Sequence, residues 1–275
     1  MLINKEIKMN NILEFTDVSK KFSNGVYGLK NVSFSVKPGE FISVIGPSGS
    51  GKSTLLRSIN KFVTVTSGKV CVDNELLNPK KGRALRETRR KIGMVFQNYN
   101  LIYNLSVIQN VLHGCLGRMK GLRGILGLYS EEDKLTAIEL LREMGLEEQY
   151  CNRASELSGG QKQRAGIARA IIQDPKLLLC DEPIASLDPS SAKTVMDILF
   201  EMTQKRNIAC IVNLHQVDVA MRYSTRIIGL KKGEIIFDGS PDELTSSYIE
   251  NIYGTSMENL VTGVKNEKEY QVDAC

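Results

Sequence analysis

The sequence predicts an α/β fold: a mainly parallel core sheet with an antiparallel β subdomain near the N-terminus and an inserted α-helical subdomain in the middle. Three observations support this. Short apolar runs separated by turn signals fill residues 12–45, residues 104–147 have helical periodicity, and helical and strand patterns alternate from residue 161 onward. Strands that alternate with helices imply a mainly parallel sheet covered on both faces.

The N-terminal elements are predicted from alternation and turn residues. Residues 32–36 alternate apolar and polar side chains and are followed by the turn Lys37-Pro38-Gly39-Glu40, whereas residues 41–45 resemble a buried strand. The same signals predict the remaining elements: a helix over 52–60, a strand pair near 69–77, helices over 161–173, 189–205 and 216–223, and strands over 176–180, 208–212, 226–230 and 234–238.

The helical region is clearest after Ser130. Three acidic residues follow this serine, and Leu135, Ile138, Leu141 and Met144 then recur at helical spacing, which predicts a capped amphipathic helix. The Gly/Arg-rich portion over 114–127 fits either a loop or a frayed helix.

Composition indicates a soluble globular protein that lacks a membrane anchor. Hydrophobic residues make up 42% of the chain and charged residues 24%, and neither a signal-peptide pattern nor a run of 18 apolar residues occurs. We therefore expect a cytoplasmic protein that reaches a membrane only by docking onto a separate subunit. The net charge is +5, and the basic residues are densest over 80–91. This cluster fits either an ordinary solvated surface or a surface that attracts anionic lipid or nucleotide. The six scattered cysteines indicate reduced thiols.

A phosphate-binding loop follows the buried strand. Residues 46–53 match G-x-x-x-x-G-K-[ST] between a predicted strand and a predicted helix, the context that the motif requires. Glycines let backbone N–H groups converge on phosphate oxygens, Lys52 reaches the β- and γ-phosphates, and Ser53 can bind Mg²⁺. The predicted nucleotide contacts are Gly46, Pro47, Ser48, Gly49, Ser50, Gly51, Lys52, Ser53 and Thr54.

Two carboxylates end a later apolar strand. Asp181 and Glu182 follow Leu177-Leu178-Leu179-Cys180, at the edge where open α/β sheets place their chemistry. Asp181 suits the Mg²⁺ shell, and Glu182 suits the orientation and polarisation of an attacking water. An acidic turn of no catalytic consequence would give the same pattern, and the preceding phosphate loop favours the functional interpretation.

A second glycine-containing loop precedes another helix. Leu157-Ser158-Gly159-Gly160-Gln161 contains a capping-box pattern, because Gln161 lies three residues after Ser158. A cap does not require two successive glycines, whereas contact between backbone N–H groups and a phosphate does. We therefore predict both a helix cap and phosphate contact by Ser158, Gly159, Gly160 and Gln161.

With this loop the chain resembles the ABC ATPase family of P-loop NTPases. The resemblance implies that residues 157–161 serve the γ-phosphate held by the phosphate loop of a second, identical subunit, so two ATP molecules lie between two head-to-tail copies. It further implies a single domain over 9–255, with a nucleotide-binding core (9–96 and 161–240), a helical subdomain with the signature loop (97–160), and a polar tail (256–275).

Further site residues are implied by their family positions. Phe22 would stack on adenine, although a lone aromatic is more often a core residue. Gln97 would sense Mg²⁺ and the attacking water, and His215 would contact the γ-phosphate. Asp188 would cross the dimer interface, which is compatible with a role as a helix N-cap before Pro189.

Several stretches resemble the phosphonate importers of this family, among them Phe96 to Leu101, Asn110 to Arg118, Asp181 to Asp188 and Leu214 to Asp218. The resemblance implies an ATPase that binds ATP and Mg²⁺, forms a homodimer, sits peripherally on the cytoplasmic face of the cell membrane and drives permease subunits. An extracellular substrate-binding protein would act indirectly, and no nucleic acid is expected. The alternatives are an import ATPase for another cargo, such as phosphate or amino acids, and an ABC ATPase outside transport.

Overall fold

A computed structural model describes residues 11–77, 81–119, 124 and 126–254. Within them, ten strands and a set of helices succeed one another along the chain. The strands are β1 (Leu13–Lys21), β2 (Tyr27–Val36), β3 (Phe41–Ile45), β4 (Ser67–Val72), β5 (Glu75–Leu76), β6 (Ile92–Val95), β7 (Leu177–Asp181), β8 (Ala209–Asn213), β9 (Arg226–Lys231) and β10 (Glu234–Gly239). The α-helices are α1 (Lys52–Ile59), α2 (Gly82–Arg90), α3 (Val107–Leu112), α4 (Glu131–Glu143), α5 (Gly159–Ile171), α6 (Pro189–Lys205), α7 (Val217–Tyr223) and α8 (Ser246–Tyr253).

The core sheet has six strands in the order β10-β9-β3-β8-β7-β6. All neighbours are parallel except the β9–β10 pair, so the prediction of a mainly parallel sheet is confirmed. Parallel alignment places the carboxyl ends of β3, β7 and β8 along one edge, and the residues that follow these strands meet there.

A second, antiparallel sheet contains β2-β1-β4-β5, as the predicted β subdomain requires. It packs against one face of the core sheet through the even-numbered side chains of β3, Ile42 and Val44, together with helix α1. The opposite face of β3 presents Phe41 and Ile45 to the larger helical core. Burial on both faces explains why β3 is apolar or small at every position.

The helical region lies between β6 and β7. A capping box at Ser130 starts α4, because its hydroxyl accepts from the Asp133 amide and the Asp133 carboxylate accepts from the Ser130 amide. For residues 114–127 the sequence fits either a loop or a frayed helix. Residues 113–117 form a 3₁₀ helix, while residues 120–123 and 125 lie outside the described residues. The subdivision at residues 97 and 160 stays a prediction.

The C-terminal part contains an element that the sequence patterns do not predict. Helix α8 follows β10 and packs Ile249 and Ile252 into the helical core. In the described part of the chain, no helix combines the length and the apolar character needed to cross a membrane. The five described cysteines are unpaired, as predicted. The predicted tail over 256–275 lies outside the described residues.

Candidate nucleotide site

A cavity of about 370 Å³ opens at the carboxyl edge of the core sheet. Four separate stretches of chain contribute to its wall: the β1–β2 turn, the phosphate loop with the start of α1, the end of β7, and the residues after β8. Its lining residues are Phe22, Val26, Tyr27, Gly28, Ser48, Gly49, Gly51, Lys52, Ser53, Thr54, Glu182 and His215. Residues up to 193 positions apart in the sequence thus share one space, as the phosphate-loop and catalytic predictions together require.

The backbone of the phosphate loop admits only glycine at two positions, 46 and 51. Gly46 has φ 147°, and a Cβ there would lie 2.2 Å from the Leu230 carbonyl oxygen. Gly51 has φ 112°, and its Cβ would lie 2.3 Å from the Gly28 carbonyl oxygen. This path brings the amides before α1 to the cavity, where they can donate to an anion.

Lys52 provides the positive charge of the cavity wall. Its Nζ donates to the carbonyl oxygens of Gly46 at 2.6 Å and Pro47 at 3.1 Å, and the residue is only 5% exposed. Burial lowers the pKa of the ammonium, while the negative charges of Glu182 and Asp181 oppose that effect. A cation is therefore held over the loop where a polyphosphate would lie.

Two of the three predicted metal ligands, Ser53 on α1 and Asp181 at the end of β7, lie side by side. Ser53 Oγ donates to Asp181 Oδ1 at 3.0 Å, and the buried Asn213 Nδ2 donates to the same oxygen at 2.9 Å. Arg57 Nη2 lies 3.4 Å from Asp181 Oδ2. A hydroxyl and a carboxylate side by side are the oxygen donors that Mg²⁺ prefers, so the residues present fit this ion.

Glu182 and His215 form a hydrogen-bonded pair that faces the cavity. His215 Nε2 lies 2.8 Å from Glu182 Oε1. Glu182 has φ 52°, a left-handed conformation uncommon for a residue with a side chain. This backbone turn brings its carboxylate over the strand end, where it can accept a proton from a water molecule.

The second glycine-containing loop lies outside this cavity. Ser158 caps α5, because the Gln161 amide donates to Ser158 Oγ at 3.3 Å and the Ser158 amide donates to Gln161 Oε1 at 2.9 Å. The predicted cap is thus confirmed, and α5 begins at Gly159, two residues before its predicted start, since the capping serine sets that boundary. Residues 158–161 do not line the cavity of their own chain.

Of the other predicted site residues, one lines the cavity, one lies outside it and one caps a helix. Phe22 is 39% exposed and lines the cavity, so it is not a core residue, and Lys20 Nζ lies 5.2 Å from its ring centroid. Gln97 is exposed and does not line the cavity. Asp188 caps α6 by accepting from the Ser190 and Ser191 amides at 3.1 and 3.0 Å, as predicted.

Sequence reasoning missed several residues of the site. Asn213 and Arg57 contact Asp181, and Gly28 lies against Phe22 and Thr54, so closely that a Cβ would come within 2.7 Å of the Phe22 ring. Asn213 could have been identified from the sequence, since a buried polar residue ends an otherwise apolar strand. Arg57 and Gly28 could not, because their contacts depend on how separate elements pack.

The chain matches known proteins along most of its length. A family model described as "ABC transporter" matches residues 29–185. The "Phosphonates import ATP-binding protein PhnC 2" of Oceanobacillus iheyensis is 51% identical over 251 residues, covering 91% of this chain and 99% of that protein. The "Phosphonates import ATP-binding protein PhnC" of Treponema denticola is 52% identical over 238 residues, covering 86% of this chain and 93% of that protein.

Solved structures have the same fold. The cbiO1 protein of Clostridium perfringens, described as part of the ABC transporter complex cbiONQ, aligns with a TM-score of 0.76 at 30% identity, over 85% of this chain and 90% of that one. The ATP-binding cassette MJ0796, in a dimeric post-hydrolysis state bound to ADP and Pi, aligns with a TM-score of 0.73 at 36% identity, over 83% of this chain and 98% of that one.

Proposed function

The chain belongs to the ABC transporter family, and from this premise we propose that it is the ATP-hydrolysing, energy-coupling subunit of a phosphonate importer. The observation that carries the proposal is the single cavity that joins the phosphate loop to Glu182 and His215. Nucleotide binding alone would need only the loop. A carboxylate in the same space adds the means to activate water.

Each wall of the cavity has a part in binding ATP. The amides of Ser48, Gly49 and residues 51–54 and the Lys52 ammonium hold the phosphates, and Phe22 offers an exposed ring for the adenine. Ser53 and Asp181 would hold Mg²⁺, with Gln97 reaching the same ion when the helical region moves inward. When bound, Mg²⁺ neutralises charge on the phosphate oxygens.

Hydrolysis needs a water molecule in line with the terminal phosphate bond. Glu182 orients this water and accepts its proton, because its carboxylate faces the cavity beside the loop. His215 keeps that carboxylate in place through the 2.8 Å hydrogen bond and lies within the same cavity for contact with the γ-phosphate.

The loop over residues 158–161 completes the site of a second copy. Residues 158–161 do not line the cavity of their own chain, and the mechanism therefore places the Ser158 hydroxyl and the two glycine amides against the γ-phosphate bound by a partner subunit. Closure of the dimer then depends on ATP, and opening follows hydrolysis or product release.

The partners and the cargo follow from the relatives. Proteins about 50% identical to this chain are named as phosphonates import ATP-binding proteins. We assign this chain the same cargo, a peripheral place on the cytoplasmic face of the membrane, and permease subunits as the driven partner. An extracellular substrate-binding protein would deliver the phosphonate without touching this subunit.

Growth on different phosphorus sources tests the cargo. A deletion strain is expected to grow on phosphate but not on a phosphonate as sole phosphorus source, and the gene carried on a plasmid should restore growth. Equal growth of deletion and parent strains on phosphonate would reject this cargo.

A purification experiment tests the coupling. The tagged protein should copurify with an integral membrane subunit and hydrolyse ATP, and Lys52→Ala should abolish hydrolysis. Purification without any membrane subunit, together with ATPase activity unaffected by a reconstituted permease, would favour an ABC ATPase outside transport.

A further inference from the structure

Helix α8 ends in contact with the phosphate loop. The hydroxyl oxygen of Tyr253, the last residue of this helix, accepts a hydrogen bond from the backbone N–H of Gly46 at 3.2 Å. Gly46 is the first residue of the loop, and Tyr253 follows it by 207 positions. The site described above assigns no role to this contact.

The packing of α8 on β9 directs the Tyr253 side chain toward the phosphate loop. Ile249 and Ile252 are buried, and the Ile252 side chain fits closely over Gly229, where an added Cβ would lie 2.4 Å from Ile252 Cδ1. Gly229 on β9 pairs with Ile45, the residue before Gly46. The packing of α8 on β9 therefore fixes the distance between its last turn and the start of the loop.

Both polar backbone groups of Gly46 are hydrogen-bonded from opposite sides. Tyr253 accepts from its N–H, and Lys52 Nζ donates to its carbonyl oxygen at 2.6 Å. Gly46 is buried and has φ 147°, a conformation that demands local support. Burial raises the pKa of Tyr253 to about 12, against the opposing effect of the Gly46 N–H, so the side chain is a neutral phenol at physiological pH.

We infer that Tyr253 is a positioning residue for nucleotide binding, which holds the first residue of the phosphate loop in place before ATP arrives. A loop that is already ordered does not lose conformational entropy on binding, so affinity increases without any contact between Tyr253 and the ligand. The inference rests on the nucleotide site proposed above. It gives the C-terminal helix a function in the ATP cycle.

Tyr253→Phe tests the inference, because it removes one oxygen atom and keeps the ring. We expect the KM and Kd for ATP to rise by about three- to tenfold, the loss typical of one neutral hydrogen bond, with kcat at saturating ATP unchanged. The Gly46 amide should exchange with deuterium slowly in the wild-type protein and about tenfold faster in the variant.

Tyr248→Phe is the matched control. Tyr248 lies on the same helix, is 43% exposed and packs its ring against Phe237 at 5.0 Å, so loss of its hydroxyl should leave KM and exchange unchanged. A Tyr253→Phe variant with wild-type KM, or with reduced kcat at wild-type KM, would overturn the inference even if its melting temperature fell. Rapid exchange of Gly46 in the wild-type protein would overturn it without any variant.

Failure of the inference and failure of the proposed function give different results. If the wild-type protein shows no saturable ATP hydrolysis that Lys52→Ala abolishes, the proposed nucleotide site is wrong. If that activity is present and Tyr253→Phe matches Tyr248→Phe, only the role of Tyr253 is wrong.

Discussion

The phosphate loop (residues 46–53) and the signature loop (residues 157–161) both contain glycines and both open a helix, yet their structures differ in kind. The phosphate loop has three glycines at positive φ, and added side chains at Gly46 and Gly51 would meet backbone oxygens closer than 2.5 Å. The signature loop starts α5 through an ordinary capping box, and Gly159 and Gly160 have no left-handed φ. One loop has a backbone path that only glycine can follow, whereas the other is a regular helix start outside the cavity of its own chain.

This difference separates the part of the chain that binds ATP from the loop that is expected to act only in the dimer. Lys52 and Ser53 of the phosphate loop share one cavity of one chain with Glu182, and Asp181 contacts Ser53 at 3.0 Å. The signature loop forms a capping box between Ser158 and Gln161 and does not line that cavity. Hydrolysis should therefore be sensitive to changes in both loops, whereas ATP binding by a single chain should be sensitive only to changes in the phosphate-loop half.

Glu182→Gln should give the largest effect. The neutral amide cannot accept the proton of the attacking water, so kcat should fall by roughly 10² to 10⁴-fold while the phosphate contacts persist. Size-exclusion chromatography with ATP and Mg²⁺ should show a trapped dimer. Glu201→Gln, at an exposed position on α6, serves as the control and should hydrolyse ATP normally. A Glu182→Gln protein that stays monomeric with ATP would contradict this mechanism.

Ser158→Arg should separate ATP binding from ATP hydrolysis. The bulky cation blocks approach of a second copy, so hydrolysis should fall about tenfold or more, the equivalent of one charge-assisted hydrogen bond, while ATP binding to the monomer is kept. Equilibrium dialysis and steady-state ATPase assays measure the two quantities.

Ser130→Arg is the matched control for the cap. Ser130 forms the same kind of capping box on α4, so its replacement costs about 1 kcal/mol of stability and should leave hydrolysis unchanged. Wild-type hydrolysis by the Ser158→Arg variant would remove residues 158–161 from the site.

Glu143→Gln should weaken the attachment of the helical region to the core. Glu143 on α4 accepts from Lys205 and Arg206 at the C-terminal end of α6, both at 2.6 Å. Burial tends to raise the pKa of this carboxyl, but the two hydrogen-bonded cations outweigh burial and lower it. Because Lys205 is 60% exposed, we expect a loss of only about 1 kcal/mol in the free energy of unfolding at pH 7.

The pH dependence of this loss has a defined sign. A carboxyl with a lowered pKa in the folded state stabilises fully above its ordinary value of 4.5, and that stabilisation disappears as pH falls through the lowered value. Urea denaturation should therefore show a smaller difference between wild type and Glu143→Gln at pH 3.5 than at pH 7. Glu139→Gln, at an exposed position on the same helix, should change neither value. A difference that grows on acidification would refute the ion-pair account.

Gly166→Ala should give the smallest effect and the opposite sign. Gly166 lies inside α5, and an added Cβ would meet only the Tyr99 carbonyl oxygen, at an ordinary 3.6 Å. Alanine is the better helix former, so the free energy of unfolding should rise by up to about 1 kcal/mol in urea denaturation. The same change at Gly46 should abolish ATP binding, because its Cβ would lie 2.2 Å from Leu230 O. A destabilised Gly166→Ala would show that α5 packs more tightly than this spacing indicates.

Much of the site could be predicted because its chemistry is local in the sequence. The phosphate loop, Asp181, Glu182 and the capping box at Ser158 depend on residue types at fixed spacing next to a strand or a helix. Gln97 and Phe22 were predicted from family position alone. The structure places Phe22 in the cavity wall, whereas Gln97 does not line the cavity and its role remains a prediction.

The sequence by itself determined the alternation of strands and helices, the glycine-rich loop after β3 and the two carboxylates at the end of β7, since each depends on neighbours along the chain. Only the tertiary structure decided which residues surround them. Asn213 and Arg57 reach Asp181, and Tyr253 reaches Gly46, because β3, β7, β8 and β9 lie side by side in the core sheet. The physical reason is that strand order and the packing of α8 are set by burial over the whole sheet, which no single stretch of sequence encodes.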